Sequence, residues 1–434
     1  MRLSLITVRS PGPPEIKPGG QGARAAKGIP MEAFTADGHG ERRLAGLRAL
    51  LGAPAGRLLA AIAGLLLVAT VAATVALWPD RDAAEPTGAL GGRTVAAEVV
   101  RTTTVPCGPT DQLCRRVVAT VDEGPERGRQ VTLDLGPVEA TQDPGPGSGI
   151  RVVRNEAAAG APVTYGFVDS DRRVPLAILV VAFAALGIIV ARRQGFLAVI
   201  GLLVSVVIIT TFLVPAMLAG EPPVLVSVVA SMLVMFVTLG LTYGISAQSL
   251  SAATAIAACL LLATLLGTLA LTWTGLDGAG GEYFQLLSQA NVEGVSLRGI
   301  ILAGMVVGAL GVLTDTAVTQ ASAVMALRRA NPALGVRGLF REGFTVGRDH
   351  LAATIHTLVM AYVGTLLPLL LVLEAADVGV TDALNGQLLA EPLVATIIGA
   401  TALMASVPLT TFLTAVLAVR VPPAAIPEAH SHAH

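Results

Sequence analysis

The chain has 434 residues, 53% of them hydrophobic and only 14% charged, with a mean hydropathy of +0.71. A soluble domain carries roughly 25% charged residues, so an ordinary soluble fold is excluded. A formal net charge of −1 leaves no electrostatic footprint for a nucleic-acid partner. Aromatics make up 4%, so the apolar mass is aliphatic, as lipid-facing helices require. Lysine occurs only at Lys17 and Lys27. That is the codon bias of a GC-rich genome and points to a bacterial source.

Residues 1–56 are rich in Gly, Pro and Arg and predict a disordered tail, with Met31 as an alternative start. A transmembrane anchor follows at 57–78, built on Leu58–Leu77. Its apolar run and extended N-flank are too long for a cleaved signal peptide ending near Ala76. Residues 79–173 form the one soluble domain. Turn clusters at Glu123–Gly128 and Asp143–Gly149 separate five short strands: Thr94–Arg101, Arg116–Asp122, Arg129–Leu135, Gly149–Arg154 and Val163–Val168. Five strands in so short a domain predict a small closed barrel of OB-like type. Its aromatics are only Tyr165 and Phe167, too few for stacking on nucleic acid. Cys107 and Cys114 lie in this domain, where an oxidising compartment favours a disulfide over two free thiols.

A span needs about 20 mostly apolar residues. Seven further segments in residues 174–420 qualify: Leu176–Ala191 (short, and expected to begin at Val174), Phe196–Ala219, Val224–Leu241, Leu250–Leu271, Gly299–Val318, Leu351–Leu373 and Leu393–Val419. Pro408 is expected to kink or tilt the last. With the anchor, the expected fold is an α-helical polytopic membrane protein of about eight spans carrying an all-β extracytoplasmic domain. Residues 421–434 form a tail whose histidines (His430, His432 and His434) are a weak metal-binding signal.

Charge orients the spans. Arg42, Arg43, Arg48 and Arg57 precede the first span, Arg192 and Arg193 separate the second and third, and Arg420 follows the eighth. Arg328, Arg329, Arg337, Arg341 and Arg348 separate the sixth and seventh. The intervening loops carry Asp277, Glu282, Glu293, Asp377 and Asp382, with Arg298 the one exception. The positive-inside rule then puts both termini in the cytoplasm of a bacterial plasma membrane and residues 79–173 outside it. The basic loop Arg328–Arg348, with Leu339, Phe340 and Phe344, reads equally as an amphipathic piece on the inner leaflet or as a solvated loop. The outer segment Glu282–Arg298 has an interfacial character.

The candidate site is intramembrane. Gly304, Gly308, Gly311, Asp315, Thr319 and Ser322 recur at helical spacing and share one stripe. The glycines predict close approach of a neighbouring helix, which would put Asp315 against that neighbour with Thr314, Thr316 and Gln320 beside it. An ionised carboxylate at bilayer depth costs roughly 2.5–3.5 kcal/mol and defaults to a functional reading. On the next span Asp349, Ala353, His356, Met360 and Gly364 share a face. Asp315 and His356 are expected at comparable depth, where a facing pair would hold or relay a proton. Asp349 has the alternative role of a helix N-cap. Ser406, Thr410 and Thr414 form a third stripe, with hydrogen bonding to their own backbone as the simpler reading.

No nucleophile elbow, Walker loop, HExxH or dinucleotide fingerprint is present, so no enzyme activity and no cofactor is expected. Gly275–Tyr283 lacks the Lys-Ser/Thr of a phosphate loop, and no internal repeat is evident. The stretches GALGVLTDTAVTQASAV (Gly308–Val324) and GRDHLAATIHTLVMAYVGTLLPLLL (Gly347–Leu371) resemble the signature of the YibE/F-like family of bacterial multi-pass membrane proteins. The resemblance runs over roughly residues 92–419. It matches the family aspartate to Asp315 and the Gly-Arg-Asp motif to Gly347, Arg348 and Asp349. The family pattern has Asn where this chain has His356, which argues against a general relay role there. The resemblance implies the architecture and names no activity. The sequence therefore predicts a transporter or permease with an intramembrane acidic site for a small ion or solute. The alternative is a non-transporting scaffold whose outer domain binds an envelope protein, as a homo-oligomer or alone.

Overall fold

The computed structural model describes residues 48, 51–79, 94–107, 112–155, 163–278 and 296–423. Most of the predicted tails, the histidine cluster and most of the outer segment Glu282–Arg298 lie outside the described residues, and the first helix begins at Pro54, inside the tail expected over 1–56.

Helix α1 (Pro54–Ala76) enters on a proline, whose fixed φ and missing N–H suit the first helical turn. The soluble domain follows as β1 (Thr94–Pro106), β2 (Leu113–Val121), β3 (Gln130–Pro137), β4 (Gly149–Asn155) and β5 (Thr164–Ser170). All five predicted strands are present, and all ladders are antiparallel in the order β3-β2-β1-β4-β5. Alternation along β2 sends Val117, Ala119 and Val121 into a core shared with Val99, Leu133, Ile150 and Val152. Register shifts at Val99/Arg101, Arg115/Arg116 and Arg151/Val152 mark bulges or irregularities of the kind that bend a strand and sharpen its twist. The sheet curls into a half-barrel in which β3 approaches β5 without a ladder between them. The closed barrel expected from the sequence is thus replaced by an open one.

The β1–β2 hairpin is clipped by a disulfide between Cys107 and Cys114, with their Cα atoms 5.1 Å apart. Closing so short a loop stabilises by about 2–3 kcal/mol on the chain-entropy model. Cys107→Ser with Cys114→Ser is therefore expected to lower the domain's unfolding free energy by about that amount, measured as a shift in chemical denaturation midpoint against wild type.

Where β5 meets the next helix, Asp169 accepts from the Arg172 guanidinium at 2.6 Å, the Ser170 N–H at 2.8 Å and the Gln142 amide at 2.9 Å. The arginine first, then the two amides, hold the Asp169 carboxyl down at about 2. Its folded value is below the unfolded one, so its contribution is complete above about pH 4 and is lost as pH falls towards 2. Asp169→Asn is expected to flatten the pH dependence of domain stability in that window, read from melting curves.

Helix α2 (Arg173–Ile208) passes through a π-turn at Ile209–Leu213 into α3 (Val214–Leu218). Pro215 explains the widened turn, since it offers no N–H to the carbonyl four residues earlier and its ring crowds that carbonyl. The remaining helices are α4 (Pro223–Tyr243), α5 (Ala247–Thr274), α6 (Leu297–Ala330), α7 (Val336–Ala375), the short α8 (Val380–Asn385) and α9 (Gln387–Ala418). Among the described residues seven helices are long and apolar enough to cross a membrane, with 173–218 running as one of 46 residues. That helix is broken at Arg192, where φ is 50° and ψ is −124°. In a straight helix Gly187 and Gly195 would lie about 12 Å apart. Instead a Cβ on Gly195 would collide with the Gly187 carbonyl. The chain kinks sharply at Arg192, which brings Gly195 against Gly187.

Helix α6 is the hub and packs against α4, α5, α7 and α9. Its core partners are small or aliphatic: Ala309, Leu313 and Ala317 meet Ile256, Leu260 and Ala402 in one cluster. The predicted basic loop between the sixth and seventh spans is a correction. Only residues 331–335 separate α6 from α7, so Arg337, Arg341 and Arg348 sit on helix. Leu339 is fully buried in a cluster with Ala415 and Leu417, and Phe340 stacks on Phe344 and meets Phe412 edge-on. This amphipathic piece lies on α9, because its apolar face finds protein there.

Candidate functional site

Asp315 stands about midway along α6, some 20 Å from Arg328 at 1.5 Å per residue. Its side chain is exposed from the bundle and opens into a groove of about 250 Å³. Helix α2 lines one wall with Ala198 and Gly201 beyond its break, and α4 lines another with Thr238, Thr242 and Tyr243. Thr314 and Thr319 flank the carboxylate on α6 itself. The close approach of α2 to α4 depends on Gly201, whose Cβ would stand 3.4 Å from Thr238 Cγ2. Among the described residues no hydrogen bond or ion pair engages the Asp315 carboxylate.

The hydroxyls around it fall into two kinds. Thr238 donates to the Val234 carbonyl at 2.7 Å, and Thr319 donates to the Asp315 carbonyl at 2.8 Å. This is the usual way a threonine is satisfied inside an apolar helix. Thr242, Tyr243 and Thr314 have no such partner among the described residues. Three hydroxyls and one carboxylate therefore face the same space with their hydrogen-bonding capacity uncommitted.

Thr316 and Gln320 belong elsewhere. Both are buried on the opposite side of α6, facing the bundle. Gln320 Nε2 donates to the Gly343 carbonyl at 2.7 Å and to Thr411 Oγ1 at 2.6 Å, and Thr411 in turn donates to the Val407 carbonyl. Gly343 and Gly347, one turn apart on α7, make room for this amide. A Cβ on Gly347 would lie 2.6 Å from Gln320 Oε1 and 2.7 Å from Val407 Cγ1. These two glycines hold α6, α7 and α9 together, a packing role that the sequence assigned to a different set. The signal available in the sequence was the Gly-x-x-x-Gly spacing inside the amphipathic start of α7. Nearby, Thr414 Oγ1 donates to Ser251 Oγ at 2.8 Å. Ser406 and Thr410 share its buried stripe, and their hydroxyls, like that of Thr316, have no partner among the described residues.

The glycine stripe on α6 is an open face. A Cβ on Gly304 or Gly311 meets nothing within 4 Å, and one on Gly308 meets only Tyr362 Oη at 3.7 Å. Asp349, His356, Met360 and Gly364 share a face of α7 as predicted, but that face is exposed and points away from the bundle. The groove holding Asp315 is lined by α2, α4 and α6, so the expected pairing of Asp315 with His356 is not formed. Helical periodicity tells which residues share a face; it does not tell which neighbour the face meets. Asp349 lies well inside α7, so it does not cap it, and Arg348 is exposed beside it. No cluster of three or more His, Cys, Asp or Glu suited to a metal ion occurs among the described residues.

Long apolar helices, a small β-domain and a carboxylate opening between helices define a multi-pass membrane protein. The family model for YibE/F-like proteins matches residues 179–420, more than half of the chain, and the chain belongs to that family. The match begins inside α2, so the β-domain lies outside it, in contrast to the wider resemblance read from the sequence. No curated protein and no solved structure matches the chain.

Proposed function

We propose that this protein is a transporter or permease whose working group is Asp315. One observation carries the reading: a carboxylate about midway along a helix long and apolar enough to cross a membrane, without an ionic or hydrogen-bonding partner among the described residues, faces a groove between three helices. Such an acid is costly in hydrocarbon, and a cation or proton taken up there offsets that cost. The sharp kink at Arg192, read as a reversal of the chain, supports counting 173–218 as two spans, and thus eight in all. Arg57, Arg192, Arg193, Arg328, Arg329, Arg337, Arg341, Arg348 and Arg420 would then share one side, with Arg298 at the start of α6 on the other. This arrangement supports cytoplasmic termini and an extracytoplasmic β-domain. The strand order and the approach of β3 to β5 support a relation to OB-like barrels.

The test is cation- or proton-coupled flux in vesicles reconstituted with the full chain and with Asp315→Asn. Loss of flux in a folded variant supports the reading. Equal flux would remove Asp315 from the mechanism and favour the scaffold role, in which changes at 315 alter stability alone.

A further inference from the structure

We infer that the Asp315 groove takes a single alkali cation of sodium type, held by the carboxylate and by the uncommitted hydroxyls of Thr242, Tyr243 and Thr314. The inference rests on the reading of Asp315 as the working group and narrows it to a ligand class.

Charge selects the ligand first. Aspartate is the only ionisable carboxylate among the lining residues, and no basic residue lines the groove. One monovalent cation makes the site neutral, which is the state that apolar surroundings tolerate. A divalent ion would leave a net positive charge, and an anion would double the negative one; both carry the desolvation cost of an uncompensated charge. The donor set selects further. Calcium is normally held by six to eight oxygens, including several carboxylate oxygens, and one aspartate supplies too few. Transition metals prefer imidazole or thiolate, and neither lines the groove.

Geometry agrees. Most threonines in these helices spend their hydroxyl on a carbonyl three or four residues back, as Thr210, Thr254, Thr264 and Thr401 do. Thr242 and Thr314 do not, and both flank the carboxylate from different helices. Their oxygens are left free to accept a cation. The volume of about 250 Å³ is well above the roughly 10–15 Å³ of accessible space that one water needs. The ion can therefore retain part of its hydration shell, with water completing the oxygen count.

The experiment measures thermal unfolding of the purified full chain in sodium chloride, in choline chloride at equal ionic strength and in calcium chloride. The same protein is then assayed for sodium and proton flux in vesicles of phosphatidylethanolamine and phosphatidylglycerol. Sodium is expected to raise the melting temperature where choline and calcium do not. Asp315→Asn is expected to abolish that shift. Thr242→Val and Thr314→Val, which remove a hydroxyl at nearly constant shape, are each expected to weaken the apparent sodium affinity roughly tenfold without changing the sodium-free melting temperature. A calcium effect exceeding that of sodium overturns the assignment. So does an absent sodium effect with proton flux still dependent on Asp315; in that case the proposed function stands without the sodium site. Absence of both the sodium effect and any dependence on Asp315 overturns both.

Discussion

Asp315→Asn is expected to cut coupled flux by roughly a hundredfold or more, the scale of about 3 kcal/mol for deleting one partner of a desolvated charge interaction. In sodium-free buffer the same substitution is expected to leave the protein at least as stable as wild type. Holding the ionised acid at bilayer depth costs roughly 2.5–3.5 kcal/mol, and no bond to the carboxylate would be lost with it. Loss of transport with unchanged or raised melting temperature is a signature that a purely structural aspartate cannot give. A structural residue would show the reverse pairing, with stability falling first. Flux in reconstituted vesicles and thermal unfolding in detergent, measured on one preparation, separate the two.

Gly347→Val is expected to destabilise the bundle by about 2–4 kcal/mol. Overpacking a tight contact costs typically 1–3 kcal/mol, and displacing a buried amide from its partners adds a comparable amount. The added Cβ would stand 2.6 Å from Gln320 Oε1 and 2.7 Å from Val407 Cγ1. Valine there must push the amide off Gly343 and Thr411 or part α7 from α9. Gly311→Ala supplies the contrast. Its Cβ enters open space, and alanine is the better helix former by up to about 1 kcal/mol, so stability is expected to hold or rise. If Gly311→Ala proved the more damaging of the two, the α6 face would have to be packed against something other than the described chain.

The sodium assignment and the glycine contrast meet on α6. One face of this helix, through Thr316 and Gln320, binds the bundle; the other carries Gly304, Gly308, Gly311 and Asp315 towards open space. A helix fixed on one side and unencumbered on the other can hold an acid at constant depth while leaving it accessible.

The pattern of apolar residues determined much of this protein without any help from packing. The long apolar helices, the five strands and the placing of one acid, Asp315, inside an apolar helix all follow from hydropathy, alternation and the scarcity of charge, because each depends on residues close in sequence; the expected second and third spans run as one broken helix of 46 residues. The boundary errors were also local: apolar runs mark where lipid can be met, while α6 and α7 continue into polar turns. Tertiary structure alone decided what each face touches. It sent the glycines of α6 to open space and gave the close contact to Gly343 and Gly347. It set Asp315 against Thr242 of α4, leaving His356 on an outward face, and it left β3 and β5 unjoined. Such choices depend on the lateral arrangement of helices and strands far apart in the chain, and the period of a single element carries no information about its neighbours.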